Sequence, residues 1–180
     1  MDGLVCISAD HYGGAVQATE YLCKLGHCKI GLLSGRFSPQ VSEARIEGFD
    51  KTLAKYDIPV DDRFIADIEP ALEDGEEIMT RMLREVDRPT AFFCTNDTIA
   101  AGAMKAVTRA GLRVPEDIAI IGFDDSYISR VVEPELTTVR IDAAKMGCLA
   151  MQTLFDLIAG MPVEKAHIQI PTELIVRGTA

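Results

Sequence analysis

Short, nearly unbroken apolar runs alternate along this chain with longer stretches in which apolar residues return every three or four positions. The first pattern predicts strands covered on both faces, and the second predicts helices with one buried side. Val5 to Ser8 reads as a short strand, followed by a helix from about Tyr12 to Leu25 that Asp10 caps and Gly26 ends. Lys29 to Leu33 is a second strand. Ser38-Pro39 then opens a helix whose inner face carries Ala44, Phe49, Leu53 and Ala54. Phe64 to Ile68 is strand-like, and Glu73 to Val86 is helical with Ile78, Met82 and Leu83 turned inward. Thr90 to Cys94 is a third buried strand. Asn96 or Thr95 caps the helix from Asp97 to Ala110, which Gly111 ends. Ile118 to Phe123 presents no polar face at all, the clearest strand signal in the chain.

Strands alternating with helices of this length predict right-handed βαβ units: an α/β fold, doubly wound, with a mostly parallel sheet flanked by helices. The last forty residues behave differently. Leu136 to Val139 is a brief strand, and Asp142 caps a helix with Met146, Leu149, Ala150, Leu154, Leu157 and Ile158 on one face before Gly160 stops it. His167 to Ile170 and Glu173 to Val176 read as two strands separated by Pro171, which implies that the chain changes sheets there.

The 180 residues suffice for one domain with a real core, and 48% of them are apolar. A formal net charge of −10, without any Lys or Arg cluster, argues against direct binding to nucleic acid, because phosphate neutralisation requires clustered cations. Met1-Asp2-Gly3 lacks the basic and apolar regions of a secretory leader, and no apolar run approaches the roughly 20 residues of a membrane span. Cys6, Cys23, Cys28, Cys94 and Cys148 form no metal-ligand spacing; they are expected to be buried, reduced thiols, with Cys148 at a core position, in a cytoplasmic protein. No metal and no cofactor is called for.

Ligands of an open parallel sheet bind beyond the carboxyl ends of its strands. Arg45 follows the second strand, Asn96 and Asp97 follow the third, and Asp124 and Asp125 follow Phe123. A guanidinium, an amide and a carboxylate at one crevice offer donors and acceptors to a small polyhydroxylated or heteroaromatic molecule. Each residue also has a plainer reading. Asn96 and Asp97 would serve as helix caps, Asp125 as a turn or capping residue, and Arg45 as an exposed helix residue paired with Glu47 or Asp50. Catalytic readings lack support: phosphate-cradling glycine loops and the Gly-x-Ser-x-Gly elbow are missing, and His11, His27 and His167 are dispersed. Asp124 and Asp125, as neighbours on one strand end, are poorly disposed to act on one reacting atom.

Several segments resemble, in order, those of the LacI/GalR transcriptional regulators. Gly26-His27-Cys28-Lys29-Ile30-Gly31-Leu32-Leu33-Ser34-Gly35 is similar to that family's LGH..I..L.G stretch, and Ser42-Glu43-Ala44-Arg45-Ile46-Glu47-Gly48-Phe49 to its S..R..G(F/Y/W) helix start. Pro89-Thr90-Ala91, then Asn96-Asp97, Ala100 and Gly102 resemble PTA.....ND..A.G. Val114-Pro115-Glu116-Asp117-Ile118 with Gly122-Phe123-Asp124-Asp125 resembles VP.DI.V.G(F/Y)DD. Pro134-Glu135-Leu136-Thr137-Thr138-Val139 is similar to P.LTT(I/V), and Pro171 to Arg177 to the closing P..L..R.

The resemblance implies a two-lobed, periplasmic-binding-protein-like sensor of a small-molecule effector such as a sugar, sugar phosphate or purine. It implies a homodimer that reaches DNA only through an N-terminal helix-turn-helix headpiece, with no membrane partner. By the same resemblance, Arg45, Asn96 and Asp124 contact the effector and Phe123 lines the pocket. The sequence matches the C-terminal lobe over 1–141 and 171–180 and a remnant of the N-terminal lobe over 142–170; the headpiece lies outside it. With that lobe incomplete, Leu149, Leu154 and Leu157 are expected to pack on another copy or on a shifted site in the same chain. The alternative reading is a periplasmic sugar-binding protein of an uptake system, which shares the ND..A.G and GFD elements. A third is a doubly wound sugar-metabolising enzyme, which lacks catalytic groups here.

Overall fold

A computed structural model of the protein describes residues 5–162 and 166–180. The start at Met1-Asp2-Gly3, and residues 163–165 inside the stretch expected to be a lobe remnant, lie outside the described residues.

Six strands form the main sheet: β2 (Ile30–Gly35), β3 (Ile65–Ile68), β4 (Ala91–Cys94), β5 (Ala119–Asp124), β6 (Thr137–Arg140) and β8 (Glu173–Ile175). Their spatial order is β3-β2-β4-β5-β6-β8, parallel throughout except for β8, which runs antiparallel to β6. This is the mostly parallel α/β sheet that the sequence pattern predicts. Helices α1 (His11–Lys24) and α2 (Pro39–Lys55) cover one face, where Leu22, Phe49 and Leu53 meet Leu32, Phe93, Ile121 and Phe123. Helices α3 (Leu72–Met82) and α4 (Asp97–Arg109) cover the other, where Met79, Met82, Ile99 and Val107 meet Leu33, Phe92 and Ile120. Strands buried on both sides have no room for a polar alternate, hence the unbroken apolar runs.

Helix ends follow local chemistry. Asp10 Oδ1 accepts the Gly13 N–H at 2.8 Å, and Asn96 Oδ1 accepts the Ile99 N–H at 2.8 Å. Asp142 Oδ1 accepts the Lys145 N–H at 2.8 Å. Helix α3 ends at Met82, short of the expected Val86, which is fully exposed and has nothing to pack against. At Gly102 the two helices of the second face touch so closely that a Cβ would fall on the Leu72 carbonyl oxygen.

Three further elements stand apart from this layer. Strands β1 (Cys6–Ala9) and β7 (His167–Ile170) pair in parallel as a separate two-stranded sheet, and α5 (Ala143–Ile158) packs beside β1. The β1–β7 pairing is absent from the sequence reading. The chain passes between the sheets at Asp10, at Ile141-Asp142 and at Pro171-Thr172, the last being the sheet change that Pro171 implies.

One expectation fails here and another loses one of its two alternatives. Leu154 and Leu157 are exposed and Leu149 half-buried, so the apolar stripe of α5 finds no shifted site in this chain among the described residues. On that helix only Thr153 is buried, because β1 is too small to cover it. For the same reason Cys148 is exposed rather than in a core. Cys6 and Cys28 are exposed as well, leaving only Cys23 and Cys94 as buried thiols.

Candidate functional site

The parallel strands β4 and β5 end side by side, and the loops beyond their carboxyl ends face the N-terminal half of α2. Arg45, in the second turn of that helix, reaches across both strand ends and is 3% exposed. Its guanidinium lies 3.8 Å above the centre of the Phe123 ring, with Phe37 5.1 Å away. Such a cation–π seat suits the weakly hydrated, planar guanidinium. Around its edge, one terminal nitrogen donates to the Thr95 carbonyl, and the other donates to Asp124 Oδ1 at 3.1 Å. That second nitrogen and Nε both point at Nδ1 of His11, at 3.2 and 3.4 Å. The exposed, Glu47- or Asp50-paired Arg45 of the plainer reading is not what the structure contains.

Neighbouring carboxylates divide the work. Asp124 and Asp125 both adopt positive φ, 108° and 51°, a costly backbone for residues with a Cβ. The turn it produces sends their side chains to different partners. Asp124 pairs directly with Arg45. Burial pushes its carboxyl up to about 6, against the pull of Arg45 and with the help of nearby Asp97. Asp125 has a side chain 2% exposed and is gripped by Arg177 at 2.5 Å, Arg140 at 2.7 Å and Arg130 at 3.4 Å. Burial alone would raise its carboxyl; hydrogen bonds from Arg177, Arg140 and Ser129 outweigh that and hold it at about 2. Asp125 is thus a structural anchor of the turn.

Asn96 spends its side-chain oxygen on the α4 cap and is 7% exposed. Thr95, the other candidate cap, instead accepts the Gly35 N–H at 2.7 Å. Asp97 lies underneath, 1% exposed, accepting from the Ser126 N–H at 2.6 Å and the Thr138 hydroxyl at 2.5 Å. Gly122 makes this possible, since a Cβ there would strike the Asp97 carboxylate. Phe123 is wholly buried and backs the site from below. So Arg45, Phe123 and Asp124 come together in direct contact, while Asn96 borders them and holds the helix.

His11, the first residue of α1, is the participant that sequence reasoning passed over. Its ring packs on Phe123 with centroids 6.0 Å apart. Burial, and secondarily the charge of Arg45, lower its pKa to about 4 against the opposing influence of Asp10. A lone histidine after a helix cap carries no signal in one sequence; only the return of α2 over α1 brings it to Arg45. Beside His11 a cavity of about 390 Å³ opens between the small sheet and the starts of α1 and α2. Among the described residues, no cluster of His, Cys, Asp and Glu could hold a metal ion, and no helix is long and apolar enough to cross a membrane.

Known proteins resemble the chain as a whole. The periplasmic binding protein-like domain family matches residues 19–180. A transcriptional repressor of the helix-turn-helix type, PurR of Pasteurella multocida, is 38% identical over 174 residues, covering 95% of this chain and 52% of the repressor. The chain therefore spans about half the length of the curated relatives it matches. A LacI-family regulatory protein from Chloroflexus aggregans superposes with a TM-score of 0.92 at 32% identity, over 96% of this chain and 62% of that one. The transcriptional regulator CelR in complex with cellobiose superposes with a TM-score of 0.91 at 27% identity, over 98% and 54%. The chain belongs to the periplasmic binding protein-like domain family, in the branch carried by LacI/GalR-type regulators.

Proposed function

We propose that this chain is the effector-sensing region of a LacI/GalR-type transcription regulator, and that a small polar solute binds at Arg45 and Asp124 without being transformed. The observation that carries this reading is the buried guanidinium of Arg45, seated on Phe123 and facing Asp124 at the ends of β4 and β5. Outside their mutual 3.1 Å bond, the other Asp124 oxygen and the remaining Arg45 N–H offer an acceptor and a donor to neighbouring hydroxyls, or to the edge of a heteroaromatic ring. Asn96 holds the loop beside them, and Phe123 supplies the apolar floor.

The six-stranded sheet with α1 to α4 is the C-terminal lobe of the sensor in this proposal. Helix α5 and the β1–β7 pair are the remnant of the other lobe, a reading supported by their separation from the main sheet. Solute binding shifts the population between two lobe arrangements of a cytoplasmic homodimer, and so changes the affinity of headpieces outside this sequence for DNA. The regulators among its relatives favour this over the uptake reading.

The test is a thermal-shift screen of the protein at its natural length against sugars, sugar phosphates and nucleobases, since a ligand that binds only the folded state raises the melting temperature. Asp124→Ala removes the shift and leaves the fold intact. An undiminished shift in that variant takes Asp124 out of the site.

A further inference from the structure

The cavity beside His11 is lined by Ser8, His11, Tyr12, Gln40, His167 and Gln169 among others, and among the described residues by no Lys, Arg, Asp or Glu. Arg45 is not free to serve as an anion anchor. Of its five N–H groups, those directed at Thr95, Asp124 and His11 leave one on the first terminal nitrogen. The direction of the His11 contacts also decides its proton. An Nδ1 that receives two N–H groups from a guanidinium cannot itself carry hydrogen, so a neutral ring must carry it on Nε2. No group among the described residues accepts from that Nε2, and His11 is one of the residues that line the cavity.

We propose that His11 is a ligand-contacting residue of the cleft, held by Arg45 as the Nε2–H tautomer, and that this N–H donates to an oxygen of a neutral, hydroxyl-rich solute. The inference rests on the cleft reading above and sharpens it: neutral sugars enter in preference to their phosphates. Ser8 and Gln169, polar groups of the small sheet that line the cavity, are only partly engaged. The Ser8 hydroxyl meets His167 Nε2 at 2.8 Å, and the Gln169 amide reaches Asp10 at 3.5 Å. Among the described residues, the charged groups around His11 are Arg45 against its Nδ1, Asp124 paired to that same guanidinium, and Asp10 at its own helix cap, with His167 lining the same cavity. Burial beside Arg45 keeps the ring neutral well below the usual histidine range.

Two readouts test this. Long-range proton–nitrogen spectra of the free protein, recorded at pH 7 and pH 5.5, should show His11 as the Nε2–H tautomer at both. A protonated ring at pH 5.5, or an Nδ1–H ring, overturns the proposal without a ligand being needed. In calorimetric titrations with D-ribose, cellobiose and ribose 5-phosphate, a neutral sugar should bind better than the phosphate. His11→Phe should weaken that binding about tenfold, the worth of one buried hydrogen bond. His11→Gln, which keeps a donor and an acceptor, should recover most of it. Equal affinity in His11→Phe, a preference for the phosphate, or no binding of either neutral sugar overturns the proposal. If Asp124→Ala still abolishes binding while His11→Phe does not, the cleft stands and the role of His11 falls.

Discussion

Replacing Asp125 with alanine isolates the anchor of the β5 turn from the cleft next to it. The carboxylate is 2% exposed and holds Arg177, itself only 11% exposed, together with the more exposed Arg140. A carboxyl whose pKa is about 2 when folded, against 3.8 ordinarily, stabilises the folded state at neutral pH by about 2–3 kcal/mol. Its removal also strands the largely buried Arg177, and breaking a buried pair typically costs about 3–5 kcal/mol. These are two views of one interaction and do not add. Because Arg140 and Arg130 are rehydrated at once, a loss of about 3 kcal/mol is expected. For a chain of this length that lowers the melting temperature by roughly 6–12 °C. Urea unfolding followed by circular dichroism measures the free energy directly. The wild-type contribution has a defined pH window: a depressed carboxyl gives stability that is complete above 3.8 and fades as pH falls toward 2. A loss below about 1 kcal/mol at pH 7 would refute the assignment of Asp125 as an anchor.

Asp124 carries the opposite sign. Its raised carboxyl, at about 6, favours folding in the protonated form, so stability relative to Asp124→Asn should fall as pH rises from 4 through 6 and level off above; a flat difference by thermal melts denies the burial that raises it. Gly102→Ala forces α3 and α4 apart against the Leu72 carbonyl and should cost about 3 kcal/mol in urea titrations, where a cost near zero would mean that the helices are not in contact there. A thiol reagent under native conditions should label Cys6, Cys28 and Cys148 rapidly and spare Cys23 and Cys94; mass spectrometry of the labelled chain would expose any other pattern.

What the sequence showed and what it hid follow from how far each feature depends on neighbours. Ile118 to Phe123 identifies itself as a central strand because burial on two faces excludes polar residues, and Asp10, Asn96 and Asp142 announce helix starts through a bond three residues long. Arg45 and Asp124 were legible as residues following strands of one parallel sheet, since the topology alone brings such positions to a common edge. The role of His11 was not, because it depends on α2 lying across α1, a contact between residues 34 positions apart that no local pattern reports. Asp125 looked like a turn residue beside Asp124, yet its partner Arg177 lies 52 positions away and enters only when the chain returns to β8. The failure at Cys148 has a similar cause: helical periodicity shows which face of α5 is apolar, but not whether anything covers it.

A crystal structure with the solute that most raises the melting temperature would test the central claim directly. It should show that molecule intact, with a polar atom within about 3.2 Å of the Asp124 carboxylate and a second facing Arg45. Density for the solute anywhere else, for instance on the outer face of α3, would contradict it.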